Sequence, residues 1–356
     1  MKVLTVVGAR PNFIKLAPLS KELRKSFKEV IVHTGQHYDY EMSKIFFRDF
    51  NLPEPKYNLG ISSVLHESQT GKMLIKLEKV LLKEKPDLVI IYGDTNTTLA
   101  GALAASKLNI KLAHIEAGMR SYDKKMPEEI NRIVTDPISD VLFCSTSTAV
   151  QNLKKEGIIK NVFNVGDVMI DTLRQNIDKV EKNYKILYQL KLKKKSYLLA
   201  TIHRVSNTDI KENLLNIIEA FLSIDEKIVF PIHPRTGKCL KSYGLDKKLK
   251  NSNIIPIKPI GYMNMLVLEK NAKKILTDSG GVQKEAYFFK IPCITLRDST
   301  EWIETVNDGW NILTGTNKPK ILNAAKNFNP KGKRSETYGN GDASKNIVGI
   351  INKLIF

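Results

Sequence analysis

The sequence predicts an α/β protein of two doubly wound, Rossmann-like domains facing a cleft. Three observations lead there. The chain has 356 residues, more than one ordinary core needs, so two domains of about 150 residues each are expected. Short apolar runs alternate with amphipathic stretches of helical period, as in βαβ units around a buried parallel sheet. That alternation is written twice, before and after a charged stretch at 168–196.

The first series of runs is Val3–Val7, Val30–His33, Leu88–Tyr92, Leu112–Ile115, Val141–Cys144 and Val162–Val165. The second is Leu198–Ile202, Ile228–Ile232, Ile254–Ile257, Ile275–Thr277 and Cys293–Leu296. Runs this short and this apolar read as strands covered on both faces. The expected domains are therefore 1–168 and 172–340, the second binding the nucleotide, with a final amphipathic helix at 344–356 packing back on the first. Ligands of such sheets sit at the carboxyl ends of the strands, and a two-domain version can close on them.

Composition narrows the function. The net charge of +19 raises the question of nucleic acid, but only ten of the 56 basic residues are arginine, and the lysines scatter over helix faces and loops such as Lys191–Lys195. No interleaved aromatics accompany them, so a solvated surface is expected and a nucleic-acid groove is not. Where lysine serves as the general positive charge, arginine marks places that need its planar fork. Arg10, Arg120, Arg132, Arg204, Arg235 and Arg297 all lie beside Gly-, His- or Pro-containing segments. Cys144, Cys239 and Cys293 are far apart and form no Cys-x-x-Cys or Cys/His cluster, so no metal is expected. No stretch reaches the roughly 18 apolar residues of a membrane span, and a cytoplasmic location is expected.

Three segments place carboxylates at strand ends near a phosphate-type turn. Ser279-Gly280-Gly281 follows the run ending at Thr277 and opens a helical pattern, so free N–H groups and a helix dipole can meet a diphosphate there, with Asp278 or Ser279 as a plain helix cap the alternative. Glu285, further along that helix, is placed to reach a ribose; the alternative is a surface carboxylate. His203-Arg204 and His233-Pro234-Arg235 each put an imidazole and a guanidinium at a strand end where both can donate to phosphate. Arg10 and Lys15 supply charge from the other domain, so that closure completes a cationic clamp. Gly8-Ala9-Arg10-Pro11 lacks the Gly-x-Gly-x-x-Gly pattern, so a dinucleotide cofactor is not expected.

Asp94 follows an apolar strand and precedes Thr95-Asn96-Thr97-Thr98, which leaves it equally readable as helix cap or acid/base group. Glu116, between an apolar run and Gly118, is harder to explain as a cap, and partial burial would raise its pKa toward a catalytic range. Pro127-Glu128-Glu129 reads as an ordinary helix start, with Glu128 and Arg132 spaced i, i+4 on one face.

Taken in order, Gly8–Pro11, Gly93–Thr95, His114–Ser121, Met126–Arg132, Ile202–Arg204, Asp278–Glu285 and Leu296–Glu301 make the chain resemble the non-hydrolysing UDP-N-acetylglucosamine 2-epimerases nearly end to end. The resemblance implies a fold shared with GT-B glycosyltransferases, no cofactor, a UDP-sugar substrate and a homodimer. It implies reversible C2 epimerisation to UDP-N-acetylmannosamine, with UDP eliminated to leave 2-acetamidoglucal and then added back. By matching motif positions, Asp94, Glu116 and Glu128 become the acid/base group, with His203 a catalytic or diphosphate contact. Arg10, Ser279 and Gly280 hold the diphosphate, Glu285 the ribose, and Arg132 supports Glu128. Thr300-Glu301-Trp302-Ile303-Glu304 departs from the Thr-Glu-Arg-Pro-Glu of many bacterial members toward relatives acting on diacetamido uronic acids. The alternatives are such an epimerase, a glycosyltransferase of the same fold, or a sugar-nucleotide-binding regulator without turnover.

Overall fold

The computed structural model describes residues 1–36, 46–61 and 65–354. It divides the chain into two compact units, Met1–Asn176 with Glu336–Phe356, and Ile177–Ser335.

In the first unit the strands are β1 (Lys2–Val7), β2 (Lys28–His33), β3 (Tyr57–Asn58), β4 (Leu88–Tyr92), β5 (Lys111–Ala117), β6 (Val141–Cys144) and β7 (Val162–Asn164). They form a sheet in the order β3-β2-β1-β4-β5-β6-β7, each pair parallel. The helices are α1 (Arg10–Leu23), α2 (His66–Glu84), α3 (Asn96–Lys107), α4 (Pro127–Thr135), α5 (Ser147–Lys155) and α6 (Val168–Lys182), the last carrying the boundary between the units. β4 is buried at every position, which is why its five residues are all apolar or aromatic. Around it Leu4, Val6, Val32, Leu77, Val89, Ile91 and Ala102 make one core. Each such Leu, Val or Ile contributes about 1.5–3 kcal/mol when buried. Gly101 is where α3 crosses the sheet, since a Cβ there would stand 2.8 Å from Ile91 Cγ2.

The second unit repeats the plan. Its strands are β8 (Leu198–Thr201), β9 (Ile228–Pro231), β10 (Ile254–Ile257), β11 (Lys274–Thr277), β12 (Cys293–Thr295) and β13 (Asn311–Leu313), ordered β10-β9-β8-β11-β12-β13 and again parallel. Its helices are α7 (Lys185–Gln189), α8 (Val205–Thr208), α9 (Lys211–Leu222), α10 (Pro234–Ser242), α11 (Tyr262–Asn271), α12 (Gly280–Phe289), α13 (Ile303–Asn307) and α14 (Lys318–Asn327). Lys274, buried at the start of β11, donates its ammonium to the carbonyl of Ala325 at 2.6 Å and so closes the end of α14.

Helix α15 (Ala343–Lys353) returns to the first unit and packs on α1. The Asp171 carboxylate accepts the N–H groups of Ala343 (3.2 Å) and Ser344 (2.7 Å) and caps it. In both sheets the chain reverses its winding at one place, between β1 and β4 and between β8 and β11. Such switch points open a crevice at the carboxyl ends of the strands, where ligands bind. No helix among the described residues is long and apolar enough to cross a membrane.

Candidate active site

The switch point of the first unit lies between the turns after β1 and β4. Asn12 holds them together: its side chain accepts from Gly8 N (3.2 Å) and Ala9 N (3.0 Å) and donates to the Tyr92 carbonyl (3.0 Å). Arg10 opens α1 there, its guanidinium 5.8 Å from the Phe46 ring centre. After β4 the chain turns at Gly93 (φ +63°) and reaches Asp94. The cap of α3 is Thr95, whose hydroxyl and Thr98's answer each other's backbone N–H, so Asp94 is released from capping. Its carboxylate is paired with Arg132 instead, and its carbonyl takes Asn131 Nδ2 at 2.8 Å.

Glu116 stands near the end of β5 with φ +70°, where the register against β6 slips between Ile115 and Ala117. A bulge re-aims one side chain out of the ladder, and a left-handed φ on a non-glycine persists only where its surroundings fix it. Glu116 is buried and forms an ion pair with Lys15 of α1, also buried. Beneath the two turns lies a second buried group. His114 Nε2 lies 2.7 Å from the Gly93 carbonyl and Nδ1 2.8 Å from Asp136, while Asp136 also takes Arg120 Nη1 (2.7 Å) and Gly118 N (3.2 Å). Burial pushes the Asp136 carboxyl up, but the bonds from His114 and the Arg120 guanidinium outweigh it and hold it below the usual range.

Pro127 starts α4, and Glu128 sits partly exposed in its first turn. Glu129, fully buried, accepts from Ser121 N (2.9 Å), Tyr122 N (2.9 Å) and Arg132 Nη1 (2.8 Å). Burial works against the ionised form, yet these donors keep its carboxyl below its ordinary value. Arg132 thus spans Glu129 and Asp94, tying the floor of α4 to the Asp94 turn.

In the second unit β8 leads to His203 and Arg204 and β11 leads to Ser279, the two sides of that switch point. Asp278 is no helix cap. Its buried carboxylate accepts His203 N (3.0 Å), Arg204 N (3.0 Å) and Asn207 Nδ2 (3.1 Å), clasping the loop after β8. Ser279 occupies the cap position of α12 without a side-chain capping bond, and Gly280 and Gly281 are the first two helical residues. A Cβ on Gly280 would lie 2.6 Å from Glu301 Oε1 and 3.0 Å from Trp302 Nε1, so a bare glycine is what lets these two side chains pack against the helix start. Glu301, buried, pairs with Arg297 at 2.9 Å and lies 3.7 Å from Arg204. Lys284 sits 3.8 Å from the Trp302 ring centre. Glu285 is buried, not a surface carboxylate, and accepts from the Tyr262 hydroxyl at 2.8 Å. His233 is exposed, 5.6 Å from His203 between ring centres, and Arg235 pairs with Asp209 at 2.9 Å.

Within the first unit, then, Lys15 of α1 meets Glu116 of β5 and Arg132 of α4 meets Asp94 after β4, and within the second His203 and Arg204 follow β8 while Ser279 and Gly280 follow β11 and Arg297 follows β12. The supports that hold them escaped the sequence reading: Asp136, Glu129, Asp278 and Glu301. His114 carried a signal, a histidine inside an otherwise apolar strand two residues before Glu116. Asp136 and Glu129 carried none, being charged residues in a helical pattern. Among the described residues no group of three His, Cys, Asp or Glu could hold a metal ion.

A family model described as UDP-N-acetylglucosamine 2-epimerase matches residues 21–352. A Methanococcus maripaludis protein named UDP-N-acetylglucosamine 2-epimerase homolog is 62% identical over 99% of this chain and 100% of its own. UDP-2,3-diacetamido-2,3-dideoxy-D-glucuronate 2-epimerase of Pseudomonas aeruginosa is 45% identical over 99% of this chain and 100% of its own. The crystal structure of Methanocaldococcus jannaschii UDP-GlcNAc 2-epimerase, in complex with UDP-GlcNAc and UDP, superposes with a TM-score of 0.95 at 51% identity, covering 99% of this chain and all of that one. End-to-end likeness at these identities, on the same pair of parallel sheets, makes this chain an enzyme of the UDP-N-acetylglucosamine 2-epimerase family.

Proposed function

We propose that the enzyme interconverts UDP-N-acetylglucosamine and UDP-N-acetylmannosamine by removing the C2 proton as UDP leaves C1, then adding UDP back to the bound 2-acetamidoglucal and returning a proton to the other face. The observation that carries the reading is Glu116: a buried carboxylate in a left-handed backbone position at a bulge, paired with Lys15 and next to the Asp94 turn. Strain of this kind persists where a site needs a side chain in one direction. Asp94, Glu116 and Glu128 are the acid/base group of this reading. Each well-placed member contributes roughly 10²–10⁴-fold.

The nucleotide is assigned to the second unit. The start of α12 at Ser279–Gly281, with its helix dipole, and His203, Arg204, His233, Arg235 and Arg297 would stabilise the diphosphate as charge grows on it. Arg10 adds a further cation from the first unit, and Glu285 would accept from the ribose hydroxyls. Lys15, engaged with Glu116, is read as that residue's charge partner as well as a contact for the departing phosphate. The enzyme is read as a homodimer, the commonest symmetric assembly. Trp302-Ile303-Glu304, together with the likeness to the Pseudomonas diacetamido-glucuronate epimerase, favours a second reading for the sugar, a diacetamido uronic acid with the same chemistry.

Incubation with UDP-N-acetylglucosamine in deuterated water, followed by NMR, tests the reaction. Deuterium at C2 of both epimers is expected, and an unlabelled C2 would rule the reaction out. A panel of UDP sugars in the same assay identifies the preferred one.

A further inference from the structure

The strand residue His114 is fully buried and touches neither solvent nor, in the reading above, the sugar, yet it lies between the turns carrying Asp94 and Glu116. We propose that His114, with Asp136 behind it, is a positioning residue for the proton transfers, and that its Nε2–H to the Gly93 carbonyl is the contact that matters for rate. This inference rests on the assignment of Asp94 and Glu116 as acid/base groups.

The geometry is specific about what each ring nitrogen does. A carbonyl oxygen only accepts, so Nε2 carries a proton and donates it to Gly93, while Nδ1 faces the Asp136 carboxylate at 2.8 Å on the other side of the ring. Gly93 is thereby bound to β5 on both sides, its N–H to the Ile115 carbonyl at 2.9 Å and its carbonyl to His114 at 2.7 Å. The peptide that His114 grips is the one leading directly into Asp94. On the far side Asp136 accepts Gly118 N, so the same carboxylate holds the glycine two residues beyond Glu116. One imidazole and one carboxylate therefore fix the spacing between the turns that present both acid/base groups. The two ends differ in how replaceable they are. Asp136 keeps Arg120 and Gly118 N as donors if the ring is lost, whereas the Gly93 carbonyl loses the 2.7 Å contact that ties it to β5.

That asymmetry sets the experiment. In His114→Gln the amide nitrogen falls near the Nε2 position and retains the bond to Gly93; in His114→Asn it falls near Nδ1, retaining Asp136 and losing Gly93. H114N is expected to lower kcat by roughly 30-fold or more and H114Q by less than about fivefold, as for a small misplacement of reacting groups. KM and the dissociation constant of UDP should stay within about threefold in both, because uniform binding is untouched. A merely structural histidine would give equal kcat losses in the two variants, or losses of kcat and UDP affinity in step, and either result overturns the proposal. Should H114N fail to fold, His114→Phe fills the same space without a donor and must show the same kcat loss at unchanged KM. If Asp94→Asn and Glu116→Gln turn over at the wild-type rate, the underlying reading fails whatever His114 does. If those two are slow while H114N equals H114Q, only the positioning role fails.

Discussion

Lys15→Met removes one side of a buried ion pair while nearly keeping its volume, and its cost can be worked out from the surroundings. The Lys15 and Glu116 side chains are only 5% and 7% exposed, so neither can recover its lost partner from water. Deleting one member of such a pair leaves a buried uncompensated charge and costs about 3–5 kcal/mol. For a folding unit of roughly 200 residues each kcal/mol moves the melting temperature by about 2–4 °C, so the transition of the first unit should fall by about 6–20 °C. The double variant Lys15→Met/Glu116→Gln removes both charges, and replacement of a whole buried pair is close to neutral. Most of the loss should therefore return, giving a coupling energy of at least about 2 kcal/mol in a double-mutant cycle. Thermal and urea unfolding followed by circular dichroism measure all four corners of the cycle. If K15M alone costs less than about 1 kcal/mol, or if the double variant loses the sum of the two singles, the pair is not the buried charge couple described above.

Gly93→Ala forces a side chain into a left-handed φ, which costs about 1–2 kcal/mol, and puts its Cβ 2.7 Å from Lys15 Nζ. It should destabilise the first unit and slow turnover together; an unchanged melt and rate would show that the turn relaxes freely. Asp278→Ala strips three donors of their acceptor and should lower stability by at least about 2 kcal/mol and weaken UDP binding on calorimetry by about tenfold. Unaltered UDP affinity would separate the clasp from the nucleotide site. Glu84, bonded to Lys56 and to the Tyr57 hydroxyl, is held down to about 2 from the ordinary 4.5. A depressed carboxyl stabilises fully above its unfolded value and loses that contribution as pH falls through its folded one, so between pH 4.5 and 2 the wild type should lose stability more steeply than Glu84→Gln. Parallel acid-unfolding curves would contradict this.

Most strands were legible because a strand buried on both faces must be apolar throughout: every run from Val3–Val7 to Cys293–Leu296 overlaps an observed strand. The two that were not read, Tyr57–Asn58 and Asn311–Leu313, are the last strands at one edge of each sheet, short and partly polar, and pair on one side alone. What was legible at the candidate site is the placement of unusual residues at or just past strand ends, as with Glu116 on β5 and His203 after β8. It was illegible where a carboxylate acts through long-range geometry. Asp136 meets His114 only because β5 and the end of α4 are neighbours in space, and Asp278 is aimed at the His203 loop rather than at its own helix. The sequence makes Asp94 equally readable as cap or acid; Thr95 takes the cap, which local sequence preference between two adjacent capping residues does not reveal.

The central claim is that carboxylates of the first unit move the C2 proton while the second unit holds the nucleotide, and the most direct test measures both in one variant. For Glu116→Gln, deuterium incorporation at C2 should fall by at least about 100-fold while the dissociation constant of UDP stays within about threefold of wild type. Wild-type exchange, or loss of UDP affinity equal to the loss of exchange, would contradict it.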